Sequence, residues 1–164
     1  MPATSREASS RFGIARATAA DVEALLGLMH DFYAEAGFVL NRRPTAAALR
    51  VLLSSASLGC IWLARSNGVA LGHAVLTVRF TMEHEGLSGY IDDLYVVPQS
   101  RRTGVGHALL TELVAECRAR GCKALKVEVG QSNTAALGLY SKFGLQVATD
   151  GRVLASGALR EAGT

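Results

Sequence analysis

The chain has 164 residues, 49% of them apolar and 19% charged, with a formal net charge of +3. That length allows one domain to bury a core without staples, and three cysteines (Cys60, Cys117 and Cys122) with no CxxC spacing suggest neither a disulfide framework nor a zinc site. The small basic excess sits in Arg42-Arg43 and Arg101-Arg102, with no basic stripe and no interleaved aromatics, so nucleic acid is not an expected partner. No apolar run approaches a membrane span, and His30, His73, His84 and His107 lack ligand spacing, so neither membrane nor metal is expected.

The polar start, residues 1–12, reads as a disordered tail without the hydrophobic core of a secretory signal, which favours a cytoplasmic location. Residues 13–159 read as one domain. A short strand, FGIARA, runs from Phe12 to Ala17. Thr18 and Asp21 resemble a capping box, and Val22, Leu25, Leu26, Met29 and Tyr33 follow as the apolar stripe of a first helix closed by Gly37. A second helix is predicted from Pro44-Thr45, carrying Leu49, Leu52, Leu53 and Ala56. Cys60 to Arg65 and Val69 to Phe80 flank Asn67-Gly68 as an antiparallel hairpin, and Thr81 to Ser88 reads as a polar loop.

The informative stretch comes next. Tyr90 to Val97 is a strand of mostly β-branched or aromatic residues, ended by Pro98. Alternation predicts Asp92, Leu94 and Val96 on one face and Asp93, Tyr95 and Val97 on the other. Two carboxylates in such a strand are costly unless something pairs with them or uses them; the plainer alternative is a solvated strand end. The turn Arg101, Arg102, Thr103, Gly104, Val105, Gly106 then opens a helix. Closely spaced glycines, a helix N-terminus and two arginines suit a phosphate or pyrophosphate. His107 and Ala108 exclude a P-loop, and Leu109 is wrong for a dinucleotide fingerprint. The helix carries Leu110, Leu113, Val114 and Cys117 as its stripe and stops at Gly121.

Ala124 to Val129 is a further strand. Ser132-Asn133 caps a helix bearing Ala136, Leu139, Tyr140 and Phe143, closed by Gly144. Leu145 to Thr149 and Val153 to Ser156 read as a last hairpin around Asp150-Gly151. The predicted fold class is α/β, a mixed, mainly antiparallel sheet flanked by helices in the order β-α-α-β-β-β-α-β-α-β-β, with one parallel crossover.

This order, with RRTGVG after the central strand and NTAALGLYSKFGL after the next, resembles the GNAT superfamily of acyl-CoA-dependent N-acyltransferases. Arg101, Gly104 and Gly106 match one family motif; Asn133, Ala136, Leu139-Tyr140 and Gly144 match the second. The resemblance covers the chain from about Gly13 to Leu159 and implies an N-acetyltransferase using acetyl-CoA as co-substrate. It implies that backbone amides of Arg102, Thr103, Gly104, Val105, Gly106 and His107 cradle the coenzyme A pyrophosphate, complemented by the arginines. The pantetheine arm would pair as an extra strand along Leu94, Tyr95 and Val96, with Asn133 touching it from the next helix.

In the chemistry so implied, Asp92 is the expected base, acting through water, because it stands where related enzymes often place the longer Glu. Asp93 is its alternate if the register puts the other face toward the cleft. Tyr140 would protonate the departing thiolate; without the motif it reads as a core aromatic. The N–H of Tyr95 would polarise the thioester carbonyl. Asp31, Glu35, Glu83 and Glu85, converging with Asp92 and Asp93, would favour a cationic amine such as a polyamine, an aminoglycoside or a lysine side chain. Arg42, Arg43 and Arg79 would instead favour an amino-acid carboxylate. A homodimer through the last hairpin is expected from the resemblance, and a non-catalytic acyl-CoA sensor is the competing reading.

Overall fold

The computed structural model describes residues 12–152 and 154–156. The chain divides into two compact units, one up to Gly130 and one from Gln131 onward.

In the first unit, β1 (Gly13–Arg16) leads to a 3-10 turn (Ala19–Asp21) and the helix α1 (Val22–Glu35). The predicted box forms: the Thr18 N–H and hydroxyl both donate to Asp21 Oδ2, at 2.7 and 3.2 Å. Arg65 donates to the other carboxylate oxygen at 2.7 Å, tying this corner to the sheet. The second helix, α2 (Arg42–Ser54), begins two residues before Pro44, which sits inside its first turn where no N–H is needed. Arg42 pairs with Glu23 of α1.

The sheet comprises β1, β2 (Gly59–Ser66), β3 (Val69–Thr81), β4 (Gly86–Val96) and β5 (Ala124–Val127), in that spatial order. All neighbours are antiparallel except β4 and β5, which are parallel and joined through α3 (Val105–Ala119). The helices α1 and α2 bury Leu25, Leu26, Met29 and Leu49 with Ile61, Leu63, Val75 and Tyr95 of the sheet. The period of two turns Cys60, Ala64, Ala74, Leu76 and Ile91 to the other face, where α3 packs on β2, β3 and β4 with Val105, Leu109, Leu110, Leu113 and Cys117 buried. Burial pushes the Cys117 thiol up to about 12 and the Cys60 thiol upward as well.

The polar segment expected as a loop is mostly strand. Gly86 to Gly89 pairs with Val78 to Thr81, and the turn needs only residues 82–85, with Glu85 at a left-handed φ of 52°. Small residues stand there because β4 crosses α3 closely: a Cβ on Gly89 would lie 2.7 Å from Cys117 Sγ. The fifth strand ends at Val127, two residues short of the predicted Val129.

In the second unit, α4 (Thr134–Ser141) is capped by Asn133, whose side-chain oxygen accepts the Ala136 N–H at 3.1 Å. The predicted final hairpin is not seen: residues 145–149 form no strand, and Val153 lies outside the described residues. The dimer contact expected there has no hairpin to carry it among the described residues. No described helix is long and apolar enough to cross a membrane.

Candidate active site

One irregularity in β4 builds the site. Ile91 pairs with Leu76 and Asp93 with Val75, so Asp92 is an extra residue, a β-bulge. The bulge resets the alternation: Asp93 and Tyr95 share the face covered by α1, and Leu94 turns to the α3 face. It also marks the end of the β4–β5 ladder, which runs from Ser88–Ala124 to Ile91–Val127 and no further. Beyond it, β4 keeps its partner β3 and exposes its other edge.

The groups on that edge follow from the register. Val97 donates to Leu71 O at 2.9 Å, so the antiparallel alternation turns the main-chain groups of Tyr95 toward β3 and those of Leu94 and Val96 toward the open edge. The expected Tyr95 N–H is therefore consumed by the sheet. Leu94 and Val96 supply the outward donors and acceptors, with Val96 O already receiving Arg101 Nε at 2.9 Å.

The turn between β4 and α3 follows. Arg102 and Gly104 both have positive φ, 60° and 94°, and the Thr103 hydroxyl donates to Ser100 O at 2.6 Å. Gly104 is the N-cap of α3 and has no side chain to cap it, while Ala108 N–H already donates to Gly104 O. The N–H groups of Val105 and Gly106 thus lie at the positive end of a helix of 15 residues. Exposed Arg102 stands beside them. Arg101 does not join them: it grips Glu35 at 2.8 and 2.7 Å and lies over the Tyr95 ring at 5.6 Å.

Four of the six expected acids, Asp31, Glu35, Glu83 and Glu85, differ in their surroundings. Glu35 accepts from Arg101 and from the Tyr95 hydroxyl at 3.0 Å, Arg101 holding its carboxyl below the usual range. The Tyr95 phenol is in turn pushed up to about 12 by burial, Glu35 and Asp31. Asp31 contacts His30, Glu83 pairs with Lys126 at 2.9 Å, and Glu85 lies exposed in the hairpin turn. Of the expected arginines, Arg42 is taken by Glu23 and Arg79 lies over the Tyr90 ring at 5.9 Å.

Asp92 and Asp93 gather a different set. Lost hydration, then the charges of Asp93 and Glu128, raises the Asp92 carboxyl above its ordinary value. Glu128, just past β5, neighbours the Tyr90 phenol, which burial and then that carboxylate push up to about 12. From α1, the Tyr33 phenol is raised by burial and by Asp93 and Asp92. His73 of β3 places Nε2 3.8 Å from Asp93 Oδ2. Sequence reasoning missed all four: Tyr33 had the spacing of a core residue, Tyr90 the look of a strand start, His73 no partner in sequence, and Glu128 stood alone in ALKVEV. The Glu at the end of a strand parallel to the Asp-Asp strand was the available signal.

The second unit holds Tyr140, buried on α4, and Ala136 in its first turn. Asn133 shows the capping role; its bond to Ala136 engages the side-chain oxygen.

A mixed, mainly antiparallel sheet with a bulged central strand, a parallel last pair and a glycine-capped helix start defines an α/β fold with one parallel crossover. The model of the Acetyltransferase (GNAT) family matches residues 23–145, and the chain belongs to that family. Among solved structures, an integron cassette protein from the mobile metagenome of the Cole Harbour salt marsh is 37% identical, with a TM-score of 0.80 over 91% of both chains. A predicted acetyltransferase from Clostridium acetobutylicum, solved with acetyl-CoA, shares the fold at 20% identity and a TM-score of 0.74, over 88% of this chain and 96% of that one. Among curated relatives, phosphinothricin N-acetyltransferase of Alcaligenes faecalis is 36% identical over 50% of this chain and 42% of its own length. Aminoglycoside N(6')-acetyltransferase type 1 of Klebsiella aerogenes is 34% identical over 48% and 53%. A mycothiol acetyltransferase of Thermobispora bispora matches at 41% identity over 37% of this chain and 21% of its own length. The match thus spans about half or less of these curated relatives.

Proposed function

We propose that this chain transfers the acetyl group of acetyl-CoA to a primary amine of a small cationic molecule or of a lysine side chain. The observation that carries this reading is the break at Asp92, which opens the β4 edge and sets a carboxyl of raised pKa beside it. The N–H groups of residues 105–107 receive the pyrophosphate, with Arg102 adding charge, and the outward main-chain groups of Leu94 and Val96 receive the amides of the pantetheine arm.

The acceptor arrives as an ammonium ion, since an alkyl amine has a pKa of about 10.4. Asp92 takes its proton through one water. The freed nitrogen attacks the thioester carbonyl, the C–S bond breaks as the tetrahedral intermediate collapses, the thiolate takes a proton from Tyr140, and the second proton shed by the nitrogen passes through solvent to restore the phenol. The role of Tyr140 rests on its place in the family motif. Asp92, Asp93 and Glu128 supply the negative charge that selects a cation, in place of the wider acidic set.

Isothermal titration with acetyl-CoA and coenzyme A, beside thiol release over a panel of polyamines, aminoglycosides and lysine peptides, tests the reading. Binding with release on one amine class supports it. Binding without release leaves an acyl-CoA sensor, and no binding removes the cofactor assignment. Tyr140→Phe is expected to keep coenzyme A affinity and lose turnover; a sensor loses nothing.

A further inference from the structure

His73 is wholly buried, at 0% exposure, and neither of its ring nitrogens has a hydrogen-bond partner. A neutral imidazole brings one donor and one acceptor, and leaving either buried without a partner is costly. The neighbours explain what such a ring serves. On the face covered by α1, His73 stands in one cross-strand row with Leu63 and Tyr95, and Asp93 in the next with Val75. Asp93 is therefore its diagonal neighbour, with a side chain 12% exposed and Oδ2 3.8 Å from His73 Nε2. The Tyr95 ring is tilted against His73 at a centroid separation of 6.2 Å. Other charged or titratable groups between α1 and the sheet include Tyr33 on α1, Glu35, Asp31 and Arg101 about the Tyr95 hydroxyl, and the Arg65–Asp21 pair at the start of α1. A leucine would fill the same space at no polar cost, so the ring is explained by Asp93 rather than by packing.

We propose that His73 is a positioning residue of the acceptor site: its Nε2–H donates to Asp93 Oδ2, directly after a closure of about 1 Å or through one water, and aims the second Asp93 oxygen at the acceptor ammonium. The two adjacent acids then divide the work. Asp93, held from behind, anchors the cation; Asp92, on the bulge and without such a donor, takes the proton. This inference rests on the acetyltransferase reading and adds a residue to it that neither motif contains.

Nitrogen-15 spectra of histidine-labelled protein test the pair without any turnover. Nε2 is expected to carry the proton in the natural sequence and to shift in Asp93→Asn; a resonance indifferent to Asp93→Asn overturns the pairing. Kinetics test the consequence. His73→Leu is expected to lower kcat/KM for the amine about tenfold or more while thermal stability and coenzyme A affinity hold. His73→Gln, whose amide nitrogen lies near the Nε2 position, is expected to recover most of the loss. Wild-type kcat/KM in His73→Leu, or no recovery in His73→Gln, overturns positioning. Should His73→Leu not fold, His73→Asn takes its place, since its shorter amide reaches only the Nδ1 position; equal rates for Gln and Asn then overturn the proposal. If no amine is acetylated, the acetyltransferase reading falls and positioning falls with it, while the spectra separately decide the His73–Asp93 pair.

Discussion

Arg101 holds Glu35 with one nitrogen shared between both carboxylate oxygens, at 2.8 and 2.7 Å, and so ties the last turn of α1 to the segment that leads into α3. Its Nε serves Val96 O, and its guanidinium covers Tyr95. An arginine so engaged supports the sheet edge, whereas Arg102 is exposed and is the cation proposed above for the phosphate. Arg101→Ala is therefore expected to lower Tm and to leave the salt dependence of coenzyme A binding unchanged. Arg102→Ala is expected to leave Tm alone and to flatten that dependence, because it removes a screened phosphate contact. Titrations at two ionic strengths separate the two. Glu35→Gln should cost no more than about 1 kcal/mol, since both partners are nearly half exposed.

The acid limb of the kcat profile should lie above the ordinary carboxylate range, because lost hydration and then Asp93 and Glu128 disfavour the Asp92 carboxylate. Glu128→Gln removes one of those charges and is expected to move the limb to lower pH. Stability carries the same sign. With its folded pKa raised above the unfolded value, Asp92 stabilises most below the unfolded value, and that contribution is lost as pH rises through the folded one. Asp92→Asn should therefore abolish most turnover, yet raise Tm slightly near neutral pH and not in acid. An unchanged Tm difference across pH would sink this assignment.

Gly104→Ala isolates backbone strain from packing. At φ 94° the residue occupies a region that L side chains avoid, yet an added Cβ would meet no atom within 4 Å. A stability loss of about 1–2 kcal/mol is expected from the conformation alone. The larger effect should be on coenzyme A affinity, as the turn relaxes and the N–H groups of residues 105–107 change their aim. Equal affinity in the two proteins would mean that this turn is not the phosphate cradle.

The order of elements as far as α4, with its four α-helices among the described residues, was legible because the signals are local: the Thr18–Asp21 box, Asn67-Gly68, the stripe on α3 and the Asn133 cap. The bulge was not, since a regular alternation through Asp92 and Asp93 is as good a pattern as an interrupted one, and only pairing with Val75 and Leu76 decides. That single residue also bears on which amides face the open edge, since the register turns the main-chain groups of Tyr95 toward β3. Ser88 and Gly89 looked like loop because small residues mark turns; here they mark the close approach of α3. Composition counts charges but does not assign their partners, so the pairing of Glu35 with Arg101 and of Glu83 with Lys126 was not legible.

Asp21 gives a test of the fold independent of the site. Its carboxyl lies below the ordinary range, first because the Thr18 N–H donates to it and then because Arg65 does, against an opposing desolvation. A depressed folded pKa contributes stability above the unfolded value that is lost as pH falls through the folded one. Asp21→Ala removes the box and leaves Arg65 without its carboxylate, so a loss of about 1–2 kcal/mol near neutral pH is expected. Denaturant melts of the two proteins should converge as pH falls through the folded pKa of the natural carboxyl. Because Asp21 lies at the start of α1, away from the open β4 edge, coenzyme A affinity should be unchanged; a loss of affinity would mean that the box also sets the position of α1 over Asp93 and Tyr95.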